Sequence, residues 1–218
     1  TSAEAIARHL DAPLKSLNNY VMIHNYFMPE VQGMGVVEET NVMVGVSITD
    51  LEGHEFIGGF STNLLISSDV GLAQGREIHG QPKKLGSTKL VVDNGQIEAK
   101  VYRNSDLVSH VTATYKSEVS TIEELKSYFP FAQNINHKVI RNIDGSQGIN
   151  QVTARTLSDV QIKGIWSGNC TVNLYPNTEA PFHLLPVVKS VKSFYWEADF
   201  ALVPGVIVRD FLKEKLDD

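Results

Sequence analysis

From Asn19 to Tyr115 the chain is a succession of short segments rich in β-branched and aromatic residues, cut by Gly-, Asn- and Asp-containing turns. That pattern confines it to a sheet-dominated fold. The segments are NYVMIHNYFM (19–28), NVMVGVSIT (41–49), HEFIGGFSTNLLI (54–66), TKLVV (88–92), QIEAKVYR (96–103) and LVSHVTATY (107–115). Within QIEAKVYR, Ile97, Ala99 and Val101 fall on one face and Glu98, Lys100 and Tyr102 on the other, the alternation of a sheet buried on one side. Asp93-Asn94-Gly95 and Arg103-Asn104-Ser105-Asp106 supply tight turns on either side of it. Helical signals are few. AEAIARHL (3–10) opens the chain. Ser120 stands three residues before Glu123 in STIEELKSYF (120–129), a capping-box spacing. PGVIVRDFLKEKL (204–216) has Pro204 near its start, apolar Val206, Ile207, Phe211 and Leu212 at helical spacing, and lysines in its last turn. No repeat or low-complexity linker divides the 218 residues, so the expectation is one domain over 1–218. The expected fold is mainly β: a large, mostly antiparallel barrel or cone with a few peripheral helices, enclosing a small-molecule cavity.

A net charge of −6, with no clustered Lys and Arg, argues against a nucleic-acid partner. No run approaches the ~18 apolar residues of a membrane span. The opening TSAEAIARHLDAPL has acidic residues and no long apolar stretch, so it does not read as a secretion signal. A single cysteine, Cys170, leaves no internal disulfide framework and fits a reducing cytoplasm. The seven histidines form no HxH, HxxxH or HExxH pair, so no metal site is expected.

One stretch resists a purely structural reading. GREIHGQPKKLG (75–86) sets Lys83 beside Lys84 just after a proline. Most such pairs are solvated turns. The chemical reading is that one of them is a nucleophile, which requires an uncharged amine, whereas free lysine has a pKa near ~10.4. A second ammonium about 5.5 Å away, at an effective dielectric of ~20, disfavours the charged form by roughly 3 kcal/mol, and desolvation in an apolar pocket can add more. An amine so tuned condenses with a ketone, and the resulting iminium is an electron sink for loss of CO2, of a proton or of an aldol fragment.

GREIHGQPKKLGSTKLVVD resembles the signature of the acetoacetate decarboxylase family, in which Gly-Arg-Glu is followed by an aromatic-Pro-Lys-Lys-Leu segment. GMGVVEETNVMVGV (33–46), NHKVIRNIDGS (136–146), GIWSG (164–168), EAPFHLLPV (179–187) and EADFALVPG (197–205) resemble further family segments in the right order, so the likeness runs along nearly the whole chain. The resemblance implies that Lys83 is the Schiff-base lysine, Lys84 its neighbour and Glu39 the acid/base or orienting carboxylate. Arg76 and Glu77 match the Gly-Arg-Glu element, where an internal ion pair bracing the lysine strand is the favoured role. Pro82 stiffens the approach to Lys83. The resemblance also implies a small keto acid as substrate, no cofactor, and a homo-oligomer.

Three departures bear on the reaction. The family's decarboxylases carry an active-site arginine in an N-terminal stretch, and on this reading the chain begins after that point; Arg8 does not match it. By an ungapped count back from Glu39, a further family glutamate falls at or near His24. Gln81 replaces the aromatic before Pro82. Neutral hydrogen-bonding groups thereby take the place of charged ones, and histidine can shuttle protons near neutral pH. These departures make the pocket less like the decarboxylase and suit hydroxyl and carbonyl groups, as in aldolase, dehydratase or hydratase chemistry by the same lysine; decarboxylation of a β-keto acid is still expected slightly ahead of these. The non-enzymatic alternative is a ligand-binding barrel in which Lys83 is a cationic anchor.

Overall fold

The computed structural model describes residues 1–130 and 133–214. Strands dominate it: β1 (Lys15–Val31), β2 (Gly35–Thr49), β3 (Glu55–Ile66), β4 (Lys83–Leu85), β5 (Ser87–Asp93), β6 (Gln96–Arg103), β7 (Asp106–Thr114), β8 (Glu118–Val119), β9 (Asn134–Arg141), β10 (Gln147–Arg155), β11 (Leu157–Gly168), β12 (Cys170–Leu174), β13 (Ser193–Leu202) and β14 (Val206–Asp210). Four short helices accompany them: α1 (Ala3–Ala7), α2 (Asp69–Glu77), α3 (Ile122–Tyr128) and α4 (Phe211–Glu214).

The strands form three sheets, and none closes into the barrel expected from sequence. The largest runs β1-β2-β3-β9-β10-β14, with β4 added parallel to β3. A second runs β12-β7-β6-β5 and a third β13-β11-β8. The hairpins are antiparallel, while β3 meets both β4 and β9 in parallel.

Strand β2, between β1 and β3, explains how one sheet makes both a core and a site. Its even-numbered residues Val42, Val44, Val46 and Ile48 enter the main core with Phe60, Leu65, Ile135, Val152 and Val208. Its odd-numbered residues Glu39, Asn41 and Met43 face a cavity on the other side. The second sheet docks through Thr88 of β5, whose hydroxyl lies 2.6 Å from that of Thr40 in a buried contact.

The turn at Asn94-Gly95 has φ of 45° and 73° at its two central residues, the pairing that joins strands without splaying them. The helical expectations are amended. α1 is shorter than 3–10. α3 is capped one residue later than the Ser120 spacing implied: Thr121 Oγ1 accepts the Glu124 N–H at 3.2 Å, and Ser120 Oγ donates to the Glu124 carboxylate at 2.5 Å. Residues 204–216 are not one helix. Val206-Ile207-Val208 joins the edge of the main sheet against β10, burying Val208, and only Phe211–Glu214 is helical; residues 215 and 216 lie outside the described residues. A β-branched run next to an open sheet edge satisfies its backbone better as a strand than as a helix.

Candidate active site

Lys83 begins β4, and its environment is made by the residues just before it. Gln81 N–H donates to the Gly75 carbonyl at 2.9 Å and Lys83 N–H to the Gln81 carbonyl at 2.8 Å, a tight turn in which Pro82 has no donor to leave unpaired. Helix α2 packs against this turn. A Cβ added to Gly75 would lie 2.4 Å from Lys83 Cδ and 2.6 Å from Cε, so the glycine leaves room for the lysine stem. Arg76, in the last turn of α2, donates through Nη1 to the Lys83 carbonyl at 3.2 Å. The lysine strand is thus braced, but through its backbone. Among the described residues Arg76 and Glu77 form no ion pair, and Glu77 is exposed.

The Lys83 side chain is buried, and its Nζ donates to Glu39 Oε2 at 2.8 Å. Glu39 comes from β2, where it pairs with Tyr26 of β1 and Ile66 of β3. Both side chains are about a tenth exposed, so each ion has lost most of its water. Desolvation offsets much of the attraction in such a pair, which makes it weak evidence for stability. Its position at a cavity points instead to chemistry. Lys84 alternates to the opposite face, is exposed, and its Nζ donates to the Glu179 carbonyl. The two ammonium groups therefore do not share the cavity, and the mutual repulsion expected from their adjacency is not the feature that defines the Lys83 environment; burial and Glu39 are.

The cavity has a volume of about 100 Å³. One water needs roughly 10–15 Å³ on that measure, so a molecule of several heavy atoms fits. The main sheet lines one wall with Tyr26, Met28, Glu39, Asn41, Met43, Gly59, Lys83, Asn134 and Arg155. Leu157, Phe200 and Leu202 of the three-stranded sheet, with Phe129 and Pro130 after α3, make the apolar side. Gln81 is buried at its edge, donating to Asn134 Oδ1 at 3.1 Å, while Asn134 donates to Ser61 Oγ at 2.9 Å. Among the described residues, Gln81 Oε1 and Asn41 Oδ1 are buried acceptors with no donor.

His24 does not line this cavity. It stacks behind Tyr26, ring centroids 3.8 Å apart, and its Nε2 accepts the Trp196 indole N–H at 2.9 Å. Burial pushes its pKa down to about 3, so the ring is neutral and serves as an acceptor for Trp196. His24 therefore sits behind Tyr26 rather than in the cavity lining. Burial, and then the Glu39 charge, push the Tyr26 phenol up, keeping it a neutral donor. Sequence reasoning passed over Tyr26, Asn41, Asn134 and Arg155. The one signal for Arg155 was a lone cation closing the uncharged run NQVTA.

A mainly β scaffold that holds a buried lysine against a carboxylate at a small, largely apolar cavity defines the class of site. The chain belongs to the acetoacetate decarboxylase family, whose family model matches residues 1–212. It is 29% identical over 213 residues to acetoacetate decarboxylase 1 of Bradyrhizobium diazoefficiens, spanning 97% of this chain and 82% of that protein. It is 27% identical over 214 residues to acetoacetate decarboxylase 3 of Mesorhizobium japonicum, spanning 98% and 81%. The crystal structure of acetoacetate decarboxylase from Legionella pneumophila superposes with a TM-score of 0.87 at 28% identity, covering 97% of this chain and 82% of that one.

Proposed function

We propose that this chain is a lyase that forms a Schiff base between Lys83 and a small β-keto acid and releases CO2. Family membership supports activity of the acetoacetate decarboxylase type. The observation that carries the reading is the 2.8 Å contact of the Lys83 amine with Glu39 at the cavity. Glu39 is within reach to take a proton from the ammonium, freeing the amine to add to the ketone. Loss of water gives the iminium. The electrons of the C–C bond to the carboxylate then flow into the iminium as CO2 departs, leaving an enamine. Protonation of the enamine carbon, for which Glu39 is the carboxylic acid lining the cavity among the described residues, restores an iminium that water hydrolyses to the ketone and free Lys83. The iminium is the electron sink, so the scheme calls for no organic cofactor or metal.

A second reading has a specific observation in its favour. Among the described residues, Gln81 Oε1, Asn41 Oδ1 and Gln133 Oε1 are unpartnered neutral acceptors on cavity-lining residues, and they suit a substrate hydroxyl, as in aldol or dehydration chemistry through the same iminium. Product analysis separates the two: CO2 and acetone from acetoacetate support the first, and a condensation product from pyruvate plus an aldehyde, without CO2 from acetoacetate, supports the second. CO2 release should vanish in Lys83→Ala and persist in Lys84→Ala. Release at an undiminished rate from Lys83→Ala removes the lysine from the mechanism.

A further inference from the structure

Resting on that reading for where the carbonyl sits, we propose that Arg155 is the residue that recognises the substrate carboxylate, so that the cavity selects an oxo-acid anion over a neutral ketone of the same shape. Arg155 closes β10 beside Thr156 and faces the cavity, whereas its neighbours Val152 and Ala154 alternate into the main core. Among the described residues three charged ones line the cavity: Lys83 and Arg155 are cations and Glu39 is an anion, leaving one positive charge in excess. Lys83 and Glu39 are already engaged with each other at 2.8 Å. Among the described residues Arg155 has no ion pair, and its Nε and Nη1 are buried without an acceptor.

A guanidinium cannot escape such a position by losing its proton. Burial pushes its pKa down, against the opposing pull of the Glu39 charge. Apolar Phe200, Leu157, Leu202 and Met28 line the same cavity. A carboxylate brought in with the substrate supplies both the missing negative charge and the missing acceptors. With the ketone carbon at Lys83, the anion and the reacting carbon are then both held by residues that line one small cavity. The contact is made in the ground state, so its loss should appear mainly as weaker binding.

The test compares acetoacetate with methyl acetoacetate, which keeps the ketone and removes the charge. The full chain is exposed briefly to each at increasing concentration with borohydride, and the fraction carrying any adduct on Lys83 is read by mass spectrometry. Arg155→Gln should raise the half-saturating acetoacetate concentration by about 30-fold or more, the scale of removing one partner of a buried charge pair. The ester should change by less than about threefold. Equal changes for both ligands, or none for either, overturn the assignment. If the Gln variant does not fold, Arg155→Lys carries the test, with acetoacetate weakened and the ester unaffected, and equal effects again decide against it. If neither compound gives an adduct in the unaltered chain, the Schiff-base reading fails. Arg155 is then judged by calorimetry with butyrate: binding lost in the substituted chain upholds the anion site, and absent or unchanged binding overturns it.

Discussion

Gly75→Ala isolates the placement of the lysine from its chemistry. The new Cβ would stand 2.4 Å from Lys83 Cδ and 2.6 Å from Cε, where ordinary contact begins at 3.4 Å, so the stem must move by about 1 Å. The backbone of α2 meets no comparable obstacle, because the encroached atoms belong to a flexible side chain and to Gln81 Oε1 at 3.0 Å. In the helix itself, alanine is favoured over glycine by roughly 0.5–1 kcal/mol. Stability should therefore change little. The cost falls on Nζ, whose 2.8 Å contact with Glu39 does not survive such a shift. Misplacement of a reacting group by about 1 Å can cost on the order of 10²-fold in rate. The assay is CO2 release from acetoacetate beside a thermal melt. The expected result is a loss of roughly that size with a melting midpoint within a few degrees. Unchanged turnover in a folded variant refutes the claim that α2 sets the position of the amine.

Glu39→Gln keeps the shape of the side chain but cannot take a proton, so turnover should fall by about 10²–10⁴-fold; a kcat within threefold of the starting value rules out Glu39 as the proton acceptor. Lys84→Met should leave turnover within about threefold, since its ammonium reaches the Glu179 carbonyl and not the cavity, and a loss comparable to that of Lys83→Ala contradicts this separation. Stability should depend on pH through His24: its folded pKa of about 3 lies below the ordinary 6.5, so between those values the unfolded chain binds the extra proton. Stability therefore rises with pH across that window, by up to about 1.4 kcal/mol per pH unit for one proton, and is lost as pH falls. Denaturant titrations from pH 4 to 7 should show His24→Gln, which keeps an acceptor for Trp196, with a slope shallower by one proton; identical slopes show that His24 is not the group responsible.

The parts of this molecule legible in its sequence are those governed by neighbours in the chain. The Asn94-Gly95 turn and the alternation of 96–103 need only local chemistry, and both stand where the pattern put them. The Lys83 and Glu39 side chains, singled out by a family resemblance, meet at 2.8 Å across 44 residues of chain. Helix α2 was hidden because Gly71 and Gly75 lower helix propensity. Those glycines are there for contact: Cβ atoms would stand 2.7 Å from Ile66 Cδ1 and 2.4 Å from Lys83 Cδ. The site's need for close approach thus erased the local signal of the element that forms it. At 204–216 helical spacing and Pro204 misled because the edge of β10, invisible in sequence, offered Val206–Asp210 a strand partner. Arg155 was missed for a similar reason, as its meaning depends on β10 bringing it to a cavity whose other charges lie far away in the chain.

The most direct test of the central claim is the site of covalent capture. The unaltered chain, treated with acetoacetate and borohydride and then digested, should carry its adduct on the peptide containing residues 83 and 84, with fragmentation assigning it to Lys83 and with no adduct formed in Lys83→Ala. An adduct on Lys84, or one that persists undiminished when Lys83 is replaced, contradicts the account.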